Sequence, residues 1–115
     1  MKILVCGGRE FRNRELLNKI LDSTLKFSTP ITMLINGGAR GADSLAHLWA
    51  LTNGVQTVKC EANWNYHKKS AGAKRNLAML LLDPDLVIAF PGGTGTAHMI
   101  RTAREHGIPV QEIKE

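Results

Sequence analysis

The sequence is poor in cysteine: Cys6 and Cys60 are the only two among 115 residues. Their separation has no metal-ligand spacing, so no metal site is expected. Each falls in a strand-like run, which predicts buried free thiols. A disulfide would be unusual in a reducing compartment. Long apolar runs are also missing. None approaches the roughly 20 residues that a membrane-spanning helix needs, so no membrane partner is expected. No cleavable signal precedes the first strand pattern, and the expected location is the cytoplasm. No internal linker, repeat or low-complexity segment divides the chain, which is expected to form one domain over residues 1–115. Acidic residues are the scarcer sign, 10 Asp+Glu against 15 Lys+Arg, for a net charge of +5. That balance suits a phosphate-bearing partner.

What is there alternates between two periods. Residues 2–6 form a near-continuous apolar run, as in a central parallel strand covered on both faces. Asn13 is a suitable N-cap for a helix whose stripe is Leu17, Ile20, Leu21 and Leu25. Pro30 follows its end. A second strand is predicted over 31–35. Ala42, Leu45, Ala46, Trp49 and Ala50 then recur at helical spacing, and Asn53-Gly54 stops that helix. Residues 55–60 read as a strand near an edge. A third helix runs from 71 or 73 to 82, with Asp83-Pro84 closing it. Residues 86–90 are a buried strand, 96–106 a helix, and 108–113 a short edge strand with Pro109 near its start. Strands joined by helices imply an α/β fold: a three-layer arrangement with a five-stranded parallel sheet and right-handed crossovers.

Three glycine turns stand out: Gly7-Gly8-Arg9, Gly37-Gly38-Ala39-Arg40-Gly41-Ala42-Asp43, and Pro91-Gly92-Gly93-Thr94-Gly95-Thr96. All follow strands, so a parallel sheet brings them to one carboxyl edge, where open α/β sheets bind ligands. A glycine turn opening a helix leaves backbone N–H groups and a positive dipole end that favour an anion. No Lys-Ser or Lys-Thr closes any of these turns, so none is a Walker loop. The first also lacks the later glycines of the dinucleotide fingerprint. The turns are read as converging on one anionic ligand. Arg9 and Arg40 either grip phosphate or are solvated. Asp43 either caps its helix, accepts from a ribose hydroxyl, or acts as a base. Thr94 and Thr96 either donate to phosphate or cap the last helix. Trp64, Tyr66, His67, Lys68, Lys69, Lys74 and Arg75 interleave aromatic and basic residues. There Trp64 either stacks a base or lids the core. Trp49, Met79 and Met99 read as core, His47 and His106 as surface or helix-end residues. His98 lies in the first turn after the last glycine loop.

In order, Gly7-Gly8-Arg9, the 37–43 turn, Ala62 with Trp64, Ala71-Gly72 with Arg75-Asn76, and Ala89 to Ala97 resemble the YspA (cpYpsA-related) branch of the SLOG superfamily. The similarity runs essentially end to end. It implies a Rossmann-like fold, with an expected strand order 3-2-1-4-5, and binding of nucleotides or nucleotide-derived signals. It adds Arg75 and Asn76 to the expected ligand-binding residues and implies no cofactor. Related branches include the Lonely Guy phosphoribohydrolases, which cleave a nucleotide N-glycosidic bond, and the DNA-processing protein DprA. Lonely Guy enzymes carry an Arg-Lys pair and a Pro-Gly-Gly-x-Gly-Thr-x-x-Glu motif. Here Arg75 matches the Arg, Asn76 replaces the Lys, and Met99 replaces the Glu. A thioether can neither take a proton nor stabilise an oxocarbenium-like charge. The resemblance therefore carries over the phosphate cradle and not the hydrolase chemistry, for which Asp43 and Arg75 remain as candidates, with Glu61 as the other carboxylate that could substitute. Three functions are expected in descending order: a nucleotide-ligand sensor or binding module, a nucleotide N-glycosidase, and a DprA-like nucleic-acid binder. Homo-oligomers are expected from the same relatives.

Overall fold

β1 (Lys2–Cys6) forms the middle of the sheet, hydrogen-bonded in parallel to β2 (Met33–Asn36) on one side and β4 (Leu86–Ala89) on the other. Its apolar run has that consequence, because a strand paired on both edges and covered on both faces exposes nothing to water. β3 (Thr57–Lys59) and β5 (Val110–Glu112) are the edges, giving the order β3-β2-β1-β4-β5 with every pair parallel. The computed structural model describes residues 1–27, 29–62 and 70–115. Four helices connect the strands: α1 (Arg14–Phe27), α2 (Ala42–Thr52), α3 (Ala71–Leu80) and α4 (Thr94–Glu105). The architecture is Rossmann-like α/β.

Side chains alternate across β1, and two apolar layers follow. Ile3 and Val5 join Leu17, Leu21, Trp49 and Phe90 under α1 and α2. Leu4 and Cys6 join Met79, Leu80, Met99 and Ala103 under α3 and α4. Asn13 Oδ1 accepts the Leu16 amide at 3.1 Å, anchoring the start of α1. Gly54 and Gly107, at φ 67° and 72°, follow the ends of α2 and α4 in the left-handed region that glycine tolerates.

Several boundaries differ from expectation. β2 begins at Met33 rather than Ile31 because β1 supplies a partner only from Lys2 onward. Thr32 meets Met1 instead, its amide donating to the Met1 carbonyl at 2.9 Å. β3 begins at Thr57 because the Val55 amide donates to Ala50 O at 2.9 Å, closing the turn after α2. α4 begins at Thr94, two residues early, because Gly95 takes no positive φ and serves as ordinary helix. Among the described residues, no helix is long and apolar enough to cross a membrane.

Candidate functional site

Parallel strands end together, so the turns after β1, β2 and β4 meet at one rim. The Gly8 amide donates to Pro91 O at 2.9 Å, joining the first turn to the third. The Gly8 carbonyl accepts from Phe11 at 3.2 Å and from Ala42 at 3.3 Å, joining the first turn to the second. Gly7 allows this seam to close: a Cβ there would lie 2.6 Å from Ala42 Cβ and 3.0 Å from Phe90 Cβ. Between the turns and α3 lies a cleft of about 360 Å³. Gly7, Gly8, Arg9, Ala39, Asp43, Arg75, Asn76, Gly93, Thr94, Gly95 and Thr96 line it, as does Cys6 with Met79.

The second turn spends its amides internally. Asn36, fully buried at the end of β2, accepts from Gly38 N at 2.8 Å through Oδ1 and donates through Nδ2 to Thr57 Oγ1 at 3.2 Å. Asp43 Oδ2 accepts from Ala39 N at 3.2 Å. Asp43 is 6% exposed, and that burial raises its carboxyl above the ordinary range. The Ala39 N–H and the Arg75 guanidinium oppose the rise without cancelling it. Asp43 therefore acts from inside the first turn of α2, while the residue before that helix is Gly41 and offers no side-chain cap.

The third turn is different. Gly93 precedes α4 and no side chain caps the helix. The first turn of any helix leaves its leading N–H groups without intrahelical acceptors, and here those groups belong to Thr94, Gly95 and Thr96 on the cleft. Among the described residues, a Cβ on Gly93 or Gly95 would meet nothing within 4 Å. Packing among those residues does not require glycine at either position. Gly92 is the opposite case, since a Cβ there would strike Thr96 and lie 2.6 Å from Gly8 N.

Arg75 and Asn76 connect the halves. Arg75 Nη1 donates to Gly37 O at 3.1 Å, and its Nε donates to Asn76 Oδ1 at 3.1 Å. A guanidinium only donates, so this contact fixes the amide: Oδ1 faces Arg75. Nδ2 then faces Gly95 O at 3.3 Å and His98 Nδ1 at 3.0 Å. Neutral His98 consequently carries its proton on Nε2. Asn76, 3% exposed, thus ties α3 to the start of α4.

A model of the YspA, cpYpsA-related SLOG family matches residues 1–67. The "Gene 61 protein" of Mycobacterium phage D29 is 35% identical over 116 residues, covering 95% of this chain and 93% of that protein. The chain belongs to the YspA, cpYpsA-related SLOG family. Among solved structures, DNA processing protein A (DprA) from Streptococcus pneumoniae superposes with a TM-score of 0.80 at 20% identity. The match covers 99% of this chain and 50% of that one, so the chain spans half the length of that relative. The likeness is one of fold.

In this SLOG chain the motif position occupied by Met99 is fully buried in the layer beneath α4. It does not line the cleft. Arg40 is exposed on the outer rim and pairs with Glu10. Gly37, Gly38, Gly41, Pro91 and Gly92 shape the turns without lining the cleft. Trp64 lies outside the described residues, as do Tyr66, His67, Lys68 and Lys69. Sequence reasoning did not single out the Cys6 and Met79 positions on the cleft. Cys6 was discoverable, because the last residue of a central strand borders the rim. Burial, then the charge of Asp43, pushes its thiol up to about 12. Cys60 is half-buried, not buried as expected, and burial raises its thiol too. Its place one residue past the short edge strand β3 leaves it partly open. His47, expected at the surface or a helix end, is half-buried mid-α2 with Nδ1 3.1 Å from Thr57 Oγ1. Among the described residues, no three His, Cys, Asp or Glu side chains gather as for a metal ion.

Proposed function

We propose that the cleft binds the phosphate of a nucleotide or nucleotide-derived ligand, and that the protein works as a binding or sensing module. SLOG membership supports a nucleotide-related module in general. The observation that carries the finer reading is the uncapped start of α4, bordered by two glycines whose Cβ positions are vacant. The amides of Thr94, Gly95 and Thr96 hold the phosphate oxygens, aided by the helix dipole. Arg75 and Arg9 supply positive charge at the same cleft.

A Gly95→Ala substitution tests this directly. Alanine in a helix is more stable than glycine by about 0.5 kcal/mol, and its methyl meets no atom of the described residues. The variant should melt slightly higher than the parent, yet lose the thermal shift that nucleoside 5′-phosphates induce. No shift of the parent with any phosphorylated nucleoside at millimolar concentration overturns the reading.

One observation favours a second reading, cleavage of a nucleotide N-glycosidic bond. Asp43 is a carboxyl on the cleft that holds its proton above the ordinary range, as suits a group that protonates a departing base. Chromatography after incubation with nucleoside monophosphates or NAD decides it. Free base above a protein-free control, lost in Asp43→Asn, supports the reading; none removes it for those substrates.

A further inference from the structure

Beyond Arg9 the rim continues into a second hollow of about 460 Å³. Arg12, Arg14 and Arg40 wall it, with Phe11 and Leu45 on its apolar side, and Arg9 lines both hollows. Glu10 is the acidic residue lining this hollow, while Asp43 and Glu61 lie toward Arg9 from the neighbouring hollows. Glu10 pairs with Arg40, and its other oxygen lies 3.7 Å from Arg12. The starts of α1 and α2 also open here, at Arg14 and just after Gly41. Each adds partial positive charge. Among the residues lining this hollow positive charge is in excess, and Glu10 occupies the role an anionic ligand oxygen would take. Guanidinium planes beside an apolar wall also suit a heterocycle.

We propose that the site is bipartite. The cleft takes one nucleotide unit, the arginine-walled hollow takes a second, and the phosphate between them passes Arg9. The ligand class is a phosphorylated dinucleotide. This rests on the cleft holding a phosphate, as proposed above. It favours a two-unit ligand over a continuous strand because each of the two hollows is the size of a small-ligand site, and the third hollow on this rim carries Glu61, which repels a further phosphate. Glu10 acts as an internal competitor for the second unit.

Calorimetry on the full chain at fixed low salt tests it with three probes: 5′-mononucleotides, 5′-phosphorylated dinucleotides of the same bases, and a single-stranded dodecamer. Dinucleotides should bind about tenfold tighter than mononucleotides. The Arg12→Ala/Arg14→Ala double variant should lose that advantage and keep its mononucleotide affinity. Glu10→Gln should tighten dinucleotide binding by about two- to fivefold and leave mononucleotides unchanged. All three positions are exposed, and unchanged melting temperatures confirm that the variants fold. Equal affinity for mono- and dinucleotide, unaltered by either variant, overturns the bipartite site and leaves the cleft reading intact. Affinity that keeps rising from dinucleotide to dodecamer shows a surface that tracks a strand, and overturns the two-unit ligand. If neither nucleotide probe binds, both readings fall.

Discussion

Asp43 is destabilising while ionised. Its folded carboxyl titrates above the unfolded value, chiefly because burial strips water from the charge. The native state therefore holds the proton more tightly than the unfolded chain. That contribution is fully present below the unfolded carboxyl range and is lost as pH rises through the folded one. Asp43→Asn, whose amide oxygen still accepts from Ala39, should gain stability over the parent near pH 7, and the gain should shrink toward pH 3. Urea unfolding of both proteins at several pH values checks this; a difference independent of pH would refute it. The cysteines give a second measurement at this scale. With its thiol up to about 12, Cys6 is roughly one part in ten thousand thiolate at pH 8. Half-buried Cys60 should take iodoacetamide first, and Cys6 only as the fold opens. Peptide mapping over time reports the order.

Helix α4 shows where a family motif and its surroundings separate. Its N-terminal turn lies on the cleft, while Met99 points into the layer with Met79 and Ala103. Met99→Glu, which restores the motif's letter, should bury an unpaired carboxylate and cost about 3 kcal/mol or more in denaturant unfolding. It should not create hydrolase activity. The elements themselves were largely legible: apolar stripes placed α1 and α2, Asn53-Gly54 and Asp83-Pro84 marked the ends of α2 and α3, and the run 2–6 identified the central strand. The strand ends were not. Whether residues 31–32 join a ladder depends on where β1 starts, a long-range fact that local pattern does not hold. Of the two roles open to Thr94 and Thr96, capping is not realised, since the helix starts after Gly93 with no side-chain cap.

At the scale of the molecule, parallel topology made the convergence of three glycine turns readable before any coordinates. What it could not tell was how each glycine is used. Some let backbones touch, as at Gly7 and Gly92, and others leave a vacancy, as at Gly93 and Gly95. The resemblance places Asn76 among the ligand contacts; it lines the cleft, with its amide engaged by Arg75, Gly95 and His98. Gly41 shows how far the seam matters. It sits at φ 81°, and a Cβ would run into the carbonyls of Gly8 and Arg9. Gly41→Ala should lower stability by about 2 kcal/mol or more and weaken any nucleotide-induced thermal shift as well. A near-neutral result would mean that the turns move independently.

Because Gly8, Gly38 and Ala39 already have acceptors within the chain, the rim needs no guest to keep its shape. Loading and release of a nucleotide, as proposed above, should leave the architecture standing. Crystals grown with and without nucleotide should superpose along this backbone, and differ in the arginine side chains that reach across it.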